Sequence, residues 1–168
     1  LGNVPGNLNI SGGVINGGIA TSEETSPCGG AIYVSNANFT MTGGKVTGGQ
    51  AIAEAKTTLG GNIYLSANKN YSFNISGGVV EDGIASNGGN IYVANGNLTI
   101  SGDALITRGV SHRLVSNNNG GGNVFLQKAT SLTMDGGSIT DGTATSYGGN
   151  VACRGGLFTF SGGIISGG

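Results

Sequence analysis

One phrase recurs six times along this chain: a short strand of alternating apolar and polar residues that ends in Ser-Gly-Gly or a close variant. It reads Leu8-Asn9-Ile10-Ser11-Gly12-Gly13, Phe39-Thr40-Met41-Thr42-Gly43-Gly44, Phe73-Asn74-Ile75-Ser76-Gly77-Gly78, Leu98-Thr99-Ile100-Ser101-Gly102-Asp103, Leu132-Thr133-Met134-Asp135-Gly136-Gly137 and Phe158-Thr159-Phe160-Ser161-Gly162-Gly163. A unit this short has too little apolar surface to fold alone. It buries its apolar side by stacking on copies of itself, as in a solenoid.

Each repeat reads as three short strands. The first is Ala31-Ile32-Tyr33-Val34, Asn62-Ile63-Tyr64-Leu65, Asn90-Ile91-Tyr92-Val93, Asn123-Val124-Phe125-Leu126 or Asn150-Val151-Ala152-Cys153. Alternation at period two puts the Ile, Val and Leu on one face and Tyr33, Tyr64, Tyr92 and Phe125 on the other, as an exposed aromatic column. The second strand is the recurring phrase, and the third carries Ile15, Val46, Val80, Ile106, Ile139 or Ile165 inward, just before a closing glycine. Helical periodicity is confined to Ala51-Ile52-Ala53-Glu54-Ala55-Lys56, one to two turns at most. The expected fold is all-β: a right-handed parallel β-helix of about six coils, three short strands each, forming one domain over residues 1–168. Stacked coils place like residues in register, so Asn62, Asn90, Asn123 and Asn150 should form an amide ladder at one corner. The segments between the third strand and the next first strand vary most in length and read as loops on a working face. The opening Leu1-Gly2-Asn3-Val4 matches a first strand, and both ends fall at repeat boundaries. The chain is therefore expected to be a stretch of a longer array or a unit that stacks head to tail.

Composition excludes several classes. The 36 glycines show no Gly-X-Y period, which rules out collagen, and the regular apolar alternation is foreign to disordered chains. With a net charge of -1 and no basic stripe, nucleic acid is not an expected partner. No apolar run approaches the roughly 20 residues of a membrane-spanning helix. Cys28 and Cys153 stand about four coils apart, roughly 19 Å at one inter-strand spacing per coil, too far for a disulfide. Cys153 occupies the place of Val34, Leu65, Val93 and Leu126 and is expected to be a buried apolar residue.

Gly29-Gly30-Ala31-Ile32, Gly61-Asn62-Ile63-Tyr64 and Gly89-Asn90-Ile91-Tyr92, each followed by a strand of the Leu-Thr-Ile-Ser-Gly-Gly kind, resemble the Gly-Gly-Ala/Asn-Ile repeats of pectin-lyase-like β-helices in large secreted bacterial surface proteins, the polymorphic outer-membrane adhesins and autotransporter passengers. The resemblance covers the whole chain. It implies a secreted, surface-displayed scaffold but not a specific activity.

Catalytic chemistry has few candidates. Asp82, Arg108 and Asp141 hold the same place in three consecutive coils, just before a closing glycine. The two carboxylates would lie roughly 9 to 10 Å apart, at the upper edge of inverting glycosidase geometry. Arg108 between them would keep both ionised, whereas a general acid needs a raised pKa, so the row is expected to be a salt-bridge ladder. His112, flanked by Ser111 and Arg113, reads as a solvated loop residue. One histidine and two distant cysteines cannot make a zinc site, and the calcium nonapeptide and phosphate-loop patterns are missing, so no metal or cofactor is expected. The outward side of the second strand is nearly uncharged, with Thr40, Asn74, Thr99 and Thr133 at its centre. Such a lattice suits a solvated strand, and it also offers a surface to ice, to a polysaccharide or to a neighbouring solenoid. The sequons at Asn9, Asn38, Asn70, Asn74 and Asn97 follow from the repeat and read as incidental.

The expected function is a non-enzymatic extracellular stalk, adhesin shaft or filament subunit. Its partners would be like chains, packed end to end or side by side, or surface glycans. A polysaccharide-binding or polysaccharide-cleaving module is the alternative, and ice binding the second.

Overall fold

The computed structural model describes residues 6–68, 71–112, 120–128 and 130–168. Residues Leu1–Val4, Asn70 and Arg113, on which the opening strand, one sequon and the flank of His112 rest, lie outside that set. The described residues form sixteen strands and no helix. In chain order these are β1 (Gly6–Asn16), β2 (Ile19–Thr21), β3 (Ile32–Ser35), β4 (Ala37–Thr47), β5 (Gln50–Ile52), β6 (Ile63–Ser66), β7 (Phe73–Glu81) and β8 (Ile84–Ala85), followed by β9 (Ile91–Ile100), β10 (Leu105–Thr107), β11 (Val110–Ser111), β12 (Val124–Leu126), β13 (Thr130–Thr140), β14 (Thr143–Ala144), β15 (Val151–Cys153) and β16 (Leu157–Ser166). Every pairing is parallel, and like positions of successive repeats sit opposite one another, for example Ile32 on Ile63 and Ile63 on Ile91. The result is a parallel β-solenoid of about five turns.

Three differences from the expected layout have physical causes. The second and third strands of a coil are one long bent strand, as in β1, β4, β13 and β16. The Ser-Gly-Gly step is a register irregularity inside it, at Ile10–Val14 against Met41–Lys45 and again at Met134–Ser138 against Phe160–Ile164. The second glycine of each pair has positive φ, 82° at Gly44 and 73° at Gly137, so the chain bends there without leaving the ladder. The fourth coil has one residue more at this step, since Ile100 pairs with Ile75 while Leu105 pairs with Val79. Ser101–Ala104 accordingly make a turn that splits the strand into β9 and β10.

The second difference concerns the variable segments. Each begins with a short strand, and these five strands stack in the order β14-β11-β8-β5-β2 as a separate sheet. The helix-compatible stretch from Ala51 starts inside β5: alternate exposure and parallel partners on both sides favour a strand over an isolated helical turn. The third difference is the coil count. The long strands supply six rungs, whereas the first-strand ladder β3-β6-β9-β12-β15 and the short sheet each supply five among the described residues. Six expected coils are thus about five turns.

The core is a set of columns running along the axis. Phe39, Phe73, Leu98 and Leu132 form one, Met41, Ile75, Ile100 and Met134 another, and Val46, Val80, Ile106 and Ile139 a third, all essentially inaccessible. Ile63, Ile91, Val124, Leu65, Val93 and Leu126 close the opposite side. Burying one such side chain contributes about 1.5–3 kcal/mol. With no described rung beyond them, Leu8 and Phe160 of the core columns are exposed, whereas Val14, Leu157 and Ile164 are exposed because they stand in the outward registers of Lys45, Ser131 and Ser138. The backbone is packed equally tightly at the corner preceding the first strand. A Cβ on Gly89 would collide with the carbonyl oxygen of Gly122 and the amide of Val110, so that position admits only glycine.

Candidate functional site

Asp82, Arg108 and Asp141 all stand at the corner that ends the long strand, and all three are left-handed, with φ of 57°, 53° and 54°. Gly17, Gly48 and Gly167 take the same conformation at the same place in the other coils. The corner therefore fixes the backbone, and the residue type varies on top of it. Arg108 faces down the stack. Its Nε donates to Asp82 Oδ1 at 2.9 Å and its Nη2 to Asp82 Oδ2 at 3.0 Å, a two-pronged pair. The same Nη2 lies 2.7 Å from Glu81 Oε2. Among the described residues no ion pair joins Arg108 to Asp141, so the expected three-membered row is a pair plus a separate aspartate. The reason is directional: one planar guanidinium matches the two carboxylates of the preceding coil and has no second face for the following one.

Glu81 is the member that sequence reasoning missed. It occupies the place of Thr47, Thr107 and Thr140 in the ladder and points outward beside the buried Val80. Lys45 from the coil below and Arg108 from the coil above close over it, leaving its side chain 8% exposed. Burial alone would raise its pKa, but hydrogen bonds and charge from Lys45 and Arg108 hold it below the ordinary carboxylate range. The signal available in the sequence was a lone carboxylate in a threonine register with cations one coil away on each side. Chemically, the cluster holds Glu81 ionised and engaged, the reverse of what a general acid requires.

The aromatic column forms in register. Tyr33 and Tyr64 have ring centroids 5.0 Å apart, Tyr64 and Tyr92 5.7 Å, Tyr92 and Phe125 5.3 Å, with the planes within 6°. It is not uniformly exposed, as expected from the strand pattern alone. Tyr33 is 59% exposed and Tyr64 half-buried, but Tyr92 and Phe125 are buried in a small cluster with Ala152, Leu59 and Ala94. Desolvation, followed by the neighbouring Tyr64 and Cys28, pushes the Tyr92 phenol up to about 12. Only the Tyr33 end presents ring surface to a ligand.

On the long sheet's outer face Thr40, Asn74, Thr99 and Thr133 share one row, continued by Asn9 and Thr159. The neighbouring row is partly bonded to itself: Asn38 Nδ2 donates to Asn7 Oδ1 at 2.8 Å, and Ser131 Oγ pairs with Asn97 Oδ1 at 2.8 Å. The hydroxyls of Thr40, Thr99, Thr133 and Thr159 make no hydrogen bond within the described residues and face solvent.

The asparagine ladder has the placement expected of it. Asn62 Nδ2 donates to Asn90 Oδ1 at 2.8 Å, Asn90 Nδ2 to Asn123 Oδ1 at 2.7 Å, and Asn123 Nδ2 to Asn150 Oδ1 at 2.7 Å. Each amide also donates to the end of the long strand in its own coil, at Glu81, Thr107, Thr140 or Ser166 O, and accepts from the amide of the glycine that closes the preceding coil, Gly49, Gly83, Gly109 or Gly142. The ladder ties the start of the first strand to the end of the long strand and to the preceding corner glycine in the four coils that carry an asparagine, in a buried interior.

Cys153 pairs with Leu126 as the repeat requires, yet it is exposed, because it lies on the last rung of its ladder. Cys28 is half-buried and burial raises its thiol. Among the described residues no group of three or more His, Cys, Asp or Glu could hold a metal ion, and no helix is long and apolar enough to cross a membrane. No family model, curated protein or solved structure matches this chain.

Proposed function

We propose that this chain is a non-enzymatic structural and adhesive β-solenoid, displayed outside the cell as part of a stalk, an adhesin shaft or a filament. The observation that carries the reading is the buried amide ladder. The polar residue repeated most faithfully in the interior serves only to fasten each coil to the next and to its own corner. A scaffold needs length and cohesion along one axis, and this arrangement supplies both. The resemblance of the Gly-Asn-Ile and Ser-Gly-Gly strands to polymorphic adhesins and autotransporter passengers supports a secreted, surface-displayed setting. The partners would be like chains or surface glycans.

Exposed ring surface at Tyr33 favours a second reading, a polysaccharide-binding module. One experiment separates scaffold from enzyme and binder. The chain and its Asp82→Asn and Asp141→Asn variants are assayed for turnover on a polysaccharide panel and for retention on the same immobilised glycans. The scaffold reading expects no turnover by any of the three. Turnover abolished by either substitution overturns it, and saturable retention lost on Tyr33→Ala establishes the binding module.

A further inference from the structure

Charge is sorted by corner in this molecule. Where the first strand turns into the long strand stand Lys128, after β12, and Arg154, after β15, exposed and in successive coils. Neither makes an ion pair among the described residues, and the segments at this corner contain no Asp or Glu in any coil. Lys69, in the same segment of the third coil, lies outside the described residues. The bend inside the long strand carries the opposite sign. Asp103, in the turn that splits β9 from β10, and Asp135, at the Gly-Gly step of β13, are exposed and again in successive coils. Their carboxylates make no hydrogen bond or ion pair within the described residues, and Lys45, just beyond the same bend in the second coil, is already closed over Glu81.

The two corners are the opposite edges of one face. The strand between them, Thr130 to Asp135 in the fifth coil, is roughly 16 Å long and presents the uncharged outer row. A groove accompanies the anionic edge. The extra residue of the fourth coil raises Gly102 and Asp103 beside the glycine steps of the two later coils, and a cavity of about 390 Å³ opens between that turn, Leu105, Ser138 and Ile164. Leu105 and Ile164 give it an apolar wall, and Asp103 a carboxylate. Such a groove suits a long cationic side chain, which lays its carbon stem on apolar surface and carries its charge to the rim.

We propose that these edges join copies of this chain side by side, the cationic corner of one docking on the anionic bend of the next, with Lys128 against Asp103 and Arg154 against Asp135. Charge complementarity selects a like chain as the occupant. Opposite signs on opposite edges of one face meet under a simple sideways translation, and each pair spans one coil, about 4.8 Å, so both contacts form together. The cations lie in the fifth and sixth coils and the anions in the fourth and fifth, so neighbours are staggered by one coil. A contact between unlike surfaces related by translation does not close, and copies add into an open raft of parallel solenoids. Exposed ion pairs are individually weak and screened by salt, so the raft depends on their repetition and on low ionic strength. This assignment rests on the reading of like chains as partners and names the surfaces they use.

Two doubly reversed chains test it, Asp103→Lys with Asp135→Lys and Lys128→Glu with Arg154→Glu. Sedimentation velocity is run at about 0.01 M and about 1 M salt, where the Debye length is about 30 Å and about 3 Å. The parent should associate at low salt into species that grow with concentration, and should dissociate at high salt. Each reversed chain alone should associate at least about tenfold more weakly, because both contacts become repulsive. Mixed together, the two should recover the association of the parent, which also shows that both are folded. Where a reversed chain does not melt as the parent does, Asp103→Asn with Asp135→Asn takes its place and should weaken association several-fold. Association that survives both reversals, resists high salt or fails to return in the mixture would each overturn the contact. Growth that stops at two copies would overturn the open raft. A parent that stays monomeric at low salt also overturns the contact, while turnover and glycan retention still decide the scaffold reading independently.

Discussion

Replacing Asn90 by alanine should be among the most damaging single substitutions in this chain, and its cost can be worked from the hydrogen bonds. Asn90 is fully buried, and its amide makes four of them. Oδ1 accepts from Gly83 N at 2.9 Å and Asn62 Nδ2 at 2.8 Å, and Nδ2 donates to Thr107 O and Asn123 Oδ1, both at 2.7 Å. The four orphaned partners are not equally affected. Thr107 O still accepts from Asp82 N, and Asn123 Oδ1 still accepts from Gly109 N. The Gly83 N–H and one hydrogen of the Asn62 amide lose their only partners in a dry interior. A buried unsatisfied donor costs about 1–3 kcal/mol, so two cost about 2–6 kcal/mol, which for a chain of this size lowers the melting temperature by about 4–24 °C. Asn74→Ala, on the solvated outer row, is the control and should fall within about 0.5 kcal/mol of the parent. Guanidinium denaturation followed by far-UV circular dichroism reads both. A loss under about 1 kcal/mol for Asn90→Ala, or one equal to that of Asn74→Ala, would refute the view that the ladder fastens the coils. Asn90→Asp sharpens the test: a carboxylate keeps both acceptor roles but faces Thr107 O and Asn123 Oδ1 with no proton to give, so at neutral pH it should destabilise at least as much as alanine.

Three further outcomes follow from the charges, the rings and the corners. Glu81 has a folded-state pKa below its unfolded value, so the stability it contributes is present above the ordinary carboxylate pKa and is lost as pH falls through the lowered folded value; Glu81→Gln should flatten the acid limb of a stability-against-pH curve in that window, and an unchanged limb would refute the assignment. Tyr92 is raised, to about 12, so its contribution is complete below the unfolded value near 10 and disappears as pH rises through 12; burial raises Tyr64 as well, so ultraviolet titration should show delayed phenol ionisation whose last step vanishes in Tyr92→Phe. At Asp141, whose φ is 54° and which has no ion pair among the described residues, glycine should raise stability by about 0.5–1 kcal/mol by relieving the left-handed backbone. At Asp82 the same change should be nearly neutral or unfavourable, because the lost pairing with Arg108 offsets the relief.

The sequence by itself determined the parallel stack, the identity of the core columns, the asparagine ladder and the aromatic column. The reason is that a solenoid places like positions one strand spacing apart, so recurrence in the chain is proximity in space. Ile63 over Ile32 and Asn90 over Asn62 need no further information. Tertiary structure decided whatever depends on neighbours outside the repeat. Tyr92 and Tyr33 are equivalent in sequence, but Tyr92 lies between Tyr64 and Phe125 and packs with Leu59 and Ala94, whereas Tyr33 stacks on Tyr64 alone at the first rung of the column. Cys153 is equivalent to Leu126 yet exposed, because no described rung lies beyond it. Arg108 sits between two aspartates in the repeat but engages Asp82 and the unsuspected Glu81, since a planar guanidinium commits to one side. The Ser-Gly-Gly step, legible as a strand end, is a bend within a longer strand because positive-φ glycines let the ladder continue through it.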